Sequence, residues 1–203
     1  MEKLDLKKQW KHLYEAKAGA IAAVEIPPLN YLMIDGEGDP NTAQSYIDAV
    51  EALYSLSYTL KFAIKKGPRA IDYGVMPLEG LWWADDPRAF LLANKSAWKW
   101  TALIAQPEFI SRTEVSAAFD EARKKKNPAA LDKVRFETIG EGASAQTLYV
   151  GPYTDEAPTI QRIHDFIHAA GNELRAKHHE IYLNDPRRTA PEKLKTIIRQ
   201  PFA

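Results

Sequence analysis

One order of elements recurs in this chain and limits what it can fold into: strand, helix, strand, strand, written twice. In the first pass, residues 29–35 read as a strand and Gly36-Glu37-Gly38-Asp39 as a turn. The longest helix then covers 41–66, followed by strands over 71–78 and 98–106. In the second pass, 145–150 is a strand, a helix runs through Ala170, and strands follow at 179–183 and 196–200. Few residues are identical between the passes. Two such modules can pair their sheets about a pseudo-twofold, with helices on one side and a ligand groove between the halves. The expected fold class is therefore α+β: tandem strand–helix–strand–strand modules with a mostly antiparallel sheet. We expect a single domain over 1–203, with pseudo-repeats at about 20–107 and 108–203 and an N-terminal arm at 1–19.

Local signals set the boundaries. The arm is charged, with Leu4, Leu6, Trp10 and Leu13 at loose helical spacing, and is expected to pack Trp10 on the body. A strand over 20–26 meets Pro27-Pro28. Asp39 followed by Pro40 reads as an N-cap with proline at the first helical position. Ile47, Val50, Leu53, Tyr54, Leu60 and Ile64 then form one broad helical face. Lys65-Lys66 suit the C-terminal dipole, and Gly67-Pro68 stop the helix. Asp85-Asp86-Pro87 reads as a turn and 88–96 as a connection. Residues 108–126 are expected to be helical, with Phe109, Val115 and Phe119 apolar and a solvated basic end. Strands over 134–139 and 145–150 flank the turn Gly140-Glu141-Gly142. Thr154 or Asp155 caps the last helix, whose core stripe is Ile160, Ile163, Ile167 and Ala170, and Gly171 ends it.

The aromatic residues are concentrated. Four of the five tryptophans lie between 82 and 100. The run IDYGVMPLEGLWW (71–83) places one carboxylate, Glu79, beside Trp82 and Trp83, and Trp98 and Trp100 follow. If extended, the run turns Tyr73, Val75, Glu79 and Trp83 one way and Asp72, Gly74, Met76, Leu78 and Trp82 the other. Pro77 points instead to two strand pieces, an edge or a bulge. A flat aromatic wall with one acid suits a flat, mostly apolar ligand. A core aromatic cluster with Glu79 on a solvated edge is the alternative.

Composition excludes several classes. Lys+Arg and Asp+Glu are both 27, so bulk charge does not draw the chain to nucleic acid or an anionic membrane. With no cysteine there is no disulfide, thiol nucleophile or thiolate metal site. The N-terminus has no apolar leader, and no run approaches the ~20 residues of a membrane span. We expect a soluble cytoplasmic protein, monomer or homodimer. His178-His179-Glu180 cannot easily chelate one ion, because strand neighbours face opposite ways. His164 and His168 have zinc-pair spacing but no HExxH and no third ligand. Arg187-Arg188 reads as a solvated pair. No Gly-rich phosphate loop or GxSxG elbow occurs. No metal or other cofactor is expected.

The segments YLMIDGEGDPNT (31–42), YGVMPLEGLWW (73–83), LYVGPY (148–153) and HEIYLNDPRRTAPEKLKTIIRQPF (179–202) together resemble the GyrI-like small-molecule-binding superfamily, most closely its stand-alone branch. The resemblance covers nearly the whole chain. It implies the tandem fold with a ligand groove, and hydrolysis of cyclopropanoid, DNA-alkylating natural products. Other superfamily members bind drugs as regulator domains or inhibit DNA gyrase. The arm at 1–19 is too short for a helix-turn-helix domain, so direct DNA binding is not expected.

A substrate of that kind is a flat aromatic system with a strained cyclopropane conjugated to a dienone. Its hydrolysis needs a base for water, a donor near the carbonyl oxygen and stacking surfaces. Glu180 is the first choice for base, with Tyr182 on the same strand face to orient water or donate to the developing phenolate. Glu79 is the alternative base or a second acid. Tyr73, Trp83 and Trp100 are the expected walls, with Trp82 and Trp98 as further candidates. A carboxylate against indole loses solvation, which should raise its pKa. Without the resemblance, Glu180 reads equally as a turn cap or a partner of Arg187 or Arg188. The alternative function is a non-catalytic protein that senses or sequesters hydrophobic, cationic aromatic compounds, with the acid as counter-charge.

Overall fold

A computed structural model describes residues 2–85 and 95–203. The chain is α+β and its long strands pair antiparallel. It divides into two compact units, one of residues 1–9, 29–76 and 83–139, the other of 10–28, 77–82 and 140–203. The turn expected at Asp85-Asp86-Pro87 and the connection over 88–96 fall largely outside the described residues.

In the first unit, β1 (Glu2–Leu4) pairs in parallel with β4 (Ile71–Tyr73), and α1 (Leu6–Gln9) follows β1. Strand β3 (Leu29–Glu37) lies between β6 (Lys99–Gln106) and β7 (Arg135–Ile139). The pair Gly36↔Trp100 explains the glycine in IDGEG. A Cβ on Gly36 would stand 2.2 Å from the Trp100 ring, so only glycine lets the indole lie across the strand. Gly36 and Glu37 therefore extend β3 rather than starting a turn.

Helix α3 (Gln44–Lys66) packs on β3 and β6 and begins three residues later than expected. Asp39 does not cap it. Its side chain accepts from the Asn41 N–H and its carbonyl from Thr42 and Ala43, which closes a separate turn first. The buried face also differs: Ala49, Ala52, Leu53, Leu56, Ser57, Leu60 and Ile64 face the core, while Ile47 is 52% exposed. Alanines allow close helix–sheet approach, whereas Tyr54, Tyr58 and Phe62 stack on one another along the outer row. Helix α4 (Arg112–Lys125) packs on α3. Its capping box, Ser111 with Glu114, fixes its start past the expected Glu108.

The second unit contains α2 (Lys11–Tyr14) and five strands in the order β2 (Ala22–Ile26), β8 (Gly142–Val150), β10 (Lys195–Pro201), β9 (His178–Tyr182) and β5 (Leu78–Trp83, through Trp82). The expected break at Pro77 is real, since β4 and β5 are separate pieces. Helix α5 (Ala157–Ala169) packs Ile163 and Ile167 on Ala145 and Ile198, with Ile160 beside them. It starts after a 3-10 turn at Tyr153–Asp155, so neither Thr154 nor Asp155 caps it, and Ala170 is exposed. Leu13 and Tyr14 are the arm residues buried in this unit; Trp10 is only half-buried and stacks on Tyr14. Each unit repeats one pattern. Strand β3 leads into α3 and β6 returns beside β3; β8 leads into α5 and β10 returns beside β8.

Candidate functional site

Two buried polar clusters occupy opposite faces of the β5–β9–β10 sheet in the second unit. Register separates them: Gly80 pairs with Glu180 and Trp82 with His178, while Glu79 pairs with Ile181 and Leu81 with His179. Side chains alternate along each strand, so Gly80, Trp82, His178, Glu180 and Tyr182 share one face, and Glu79 and His179 share the other.

On the first face, Glu180 is 8% exposed and each of its oxygens is engaged. His178 Nε2 lies 3.1 Å from Oε1, and the Tyr182 hydroxyl donates to Oε2 at 2.7 Å. The Tyr182 oxygen in turn accepts from Trp82 Nε1 at 3.0 Å. Gly80 makes that reach possible, because a Cβ there would stand 2.6 Å from Trp82 Nε1 and 3.0 Å from the Tyr182 oxygen. Tyr153, from the turn before α5, sets its ring edge-on to Tyr182 at 5.6 Å. Burial and the nearby Glu180, Glu156 and Asp185 charges push its hydroxyl up to about 12. Burial works to raise Glu180, but hydrogen bonds with His178, Tyr182 and Glu156 outweigh it and hold the carboxyl below its usual range. The expected upward shift beside indole therefore does not occur, since three partners replace the lost water. The buried hydroxyl of Thr196, opposite Tyr182 on β10, and the buried His178 Nδ1 have no partner among the described residues.

On the second face, Glu79 is fully buried. Tyr14 donates to its Oε1 at 2.7 Å, and His179 Nε2 lies 2.8 Å from Oε2. His179 Nδ1 meets Glu141 at 2.9 Å and 3.0 Å. Arg199 reaches Glu141 at 3.3 Å, both its Nε and a terminal nitrogen meet Gln146, and it donates to the Leu13 carbonyl at 2.8 Å. Burial disfavours the His179 charge, but Glu141 and Glu79 raise its pKa to about 9. Burial likewise opposes ionised Glu141, but His179 and Arg199 hold it down at about 2. Two acids and two bases so packed leave little net charge. Such a network holds the arm to the sheet.

Among the sequence candidates, Glu180, Tyr182 and Trp82 are thus brought together, while Glu79 joins the other network. Tyr73, Trp83, Trp98 and Trp100 belong to the first unit. Tyr73 is 2% exposed and meets Phe109 edge-on; Trp100 is 1% exposed and meets Tyr46 edge-on at 4.9 Å. Trp83 and Trp98 are half-buried, and Lys95 sits over the Trp98 ring at 5.4 Å. Sequence reasoning missed His178, Gly80 and Tyr153. The i, i+2 spacing that joined Tyr182 to Glu180 applies equally to His178, and the GPY run marks Tyr153. Glu141 and Arg199 carried no such signal. Among the described residues no group of three or more His, Asp or Glu could hold a metal ion, and no helix is long and apolar enough to cross a membrane.

Residues 20–202 match the GyrI-like small molecule binding domain. Three solved structures from Listeria innocua are similar. An uncharacterized conserved protein is 37% identical, with a TM-score of 0.90 over 98% of this chain and 100% of its own. A hydrolase is 36% identical with a TM-score of 0.90, covering all of both chains. A further hydrolase structure is 35% identical with a TM-score of 0.86, over 98% of this chain and 100% of its own. No curated protein matches the chain.

Proposed function

This chain belongs to the GyrI-like small-molecule-binding domain family, and from that premise we propose that it hydrolyses planar cyclopropanoid electrophiles of the duocarmycin or CC-1065 type. The observation that carries the reading is the chain of hydrogen bonds from Trp82 through Tyr182 to Glu180. It joins a buried indole, an oriented hydroxyl and a carboxylate held in its ionised form within one strand pair. The similar Listeria innocua structures described as hydrolases support the same class of activity.

Glu180 is the base in this reading. Water loses a proton to its carboxylate, and the water oxygen bonds to the cyclopropane methylene carbon. The strained C–C bond breaks, and its electron pair flows through the dienone to the carbonyl oxygen. That oxygen takes up a proton as a phenol, so the net change is addition of one water. Tyr182 gives its hydrogen to Glu180. Its role is therefore to aim the carboxylate and the attacking water rather than to donate to the phenolate. Trp82, itself 4% exposed, fixes Tyr182 through its indole nitrogen. The Tyr73 and Trp100 rings are already covered by Phe109 and Tyr46. Glu79 is assigned to holding the sheet and arm together. Positioning plus general base catalysis is worth roughly 10²–10⁴-fold for the base alone.

The test is incubation with a spiro-cyclopropyl dienone, followed by absorbance and mass. Catalytic gain of one water is expected. Stoichiometric binding without conversion would instead make the protein a sequestering or sensing module.

A further inference from the structure

His178 is absorbed by neither the second-face network nor the reaction as written, yet it touches the proposed base. It opens β9 two residues before Glu180, and its Nε2 lies 3.1 Å from Oε1. Its other ring nitrogen is buried and has no partner among the described residues. A hydrogen on Nδ1 would bury an N–H with nothing to accept it, at roughly 1–3 kcal/mol. A bare ring nitrogen is the more readily tolerated of the two, since buried acceptors go unsatisfied more often than buried N–H groups do. The geometry therefore favours the tautomer whose hydrogen sits on Nε2 and is donated to Glu180.

We infer that His178 is a positioning residue for Glu180, its Nε2–H fixing one carboxylate oxygen and keeping the group ionised so that a lone pair taken by neither donor can receive a proton. Tyr182 secures Oε2, and the two donors grip the carboxylate from both sides. The surroundings leave few rivals for this role. Glu156 and Tyr153 face Glu180 from the segment entering α5. His164, on α5, is partly buried, and that burial lowers its pKa. Opposite Glu180 and its neighbours on this face stand Gly80 and Trp82 of β5 and Ile198 and Thr196 of β10, none of them titratable.

The inference rests on the proposed hydrolase, but its test does not need turnover. In wild-type protein, long-range 1H–15N spectra should show His178 carrying its hydrogen on Nε2; an Nδ1–H tautomer would overturn the inference. Next, 13C-carboxyl titration of Glu180 is compared in wild type, His178→Phe and His178→Gln. The phenylalanine variant should shift the midpoint up by about one pH unit, and the glutamine variant, which keeps an N–H donor, should restore most of it. With a spiro-cyclopropyl dienone, the acid limb of kcat/KM should move in the same way, with a roughly tenfold loss in His178→Phe below it. An unmoved midpoint in His178→Phe rejects His178 as the positioning residue even where wild type is active. Absence of wild-type turnover rejects the hydrolase reading and leaves the titration to decide this one.

Discussion

Glu79 and Glu180 lie one register step apart on paired strands but on opposite faces of the sheet. They are therefore not two halves of one acid pair. Glu79 gives one oxygen to Tyr14 and the other to His179, whereas Glu180 stands in the cluster of Tyr182, Trp82 and Tyr153. Glutamine at each position should separate the roles. Glu79→Gln weakens a buried ionic network and should cost about 2–4 kcal/mol of stability in urea unfolding, with turnover per folded molecule retained. A Glu79→Gln protein that is fully stable and inactive would reverse the assignment.

Gly80→Ala tests the Trp82–Tyr182 contact. The new methyl meets the indole nitrogen at 2.6 Å and must push it from the tyrosine oxygen. The expected result is a drop in kcat per folded molecule of about tenfold or more, as positioning arguments require, together with a lower unfolding midpoint from overpacking. Unchanged kcat would mean that the indole plays no part in holding Tyr182.

The His179 network gives stability a definite pH window. His179 has its pKa raised to about 9, so the stability it contributes is fully present below its ordinary value of 6.5 and is lost as pH rises through about 9. Glu141, held at about 2, contributes stability that is present above 4.5 and lost as pH falls through about 2. The two overlap between about pH 4.5 and 6.5, where the network is strongest. Urea unfolding should show roughly 3 kcal/mol lost between pH 6 and 10 from His179 alone. His179→Gln should start less stable and lack that slope. A flat wild-type profile over the same range would contradict the assigned charges.

Much of this was legible in the sequence, and the failures have physical causes. The doubled strand–helix–strand–strand order, the break at Pro77 and the shared face of Glu180 and Tyr182 follow from period-2 alternation and from proline's missing donor. The α3 start was misread because Asp39 has capping chemistry but spends it on the Asn41 turn. The α3 core face was misread because Ala49 and Ala52 pack there while larger residues stay outside. The Glu180 shift was misjudged because its three partners come from β9 and from the segment before α5, which no local pattern connects. Arg199 and Glu141 meet across 58 residues of chain, and no local spacing connects them.

Gly36→Ala probes the other unit without touching the candidate site. The Trp100 ring lies 2.2 Å from the added carbon and is itself buried, so strand or indole must shift. Overpacking of this kind costs about 1–3 kcal/mol. The expected readout is a lower Tm, partly recovered by combining it with Trp100→Leu. A Gly36→Ala protein as stable as wild type would mean that the indole does not occupy this position.

The most direct test compares wild type with Glu180→Gln on a spiro-cyclopropyl dienone, measuring affinity by tryptophan fluorescence and conversion by mass. The account predicts nearly equal binding and a loss of kcat of about 10²-fold or more, with wild type adding one water per substrate. Hydrolysis by Glu180→Gln at the wild-type rate would contradict it.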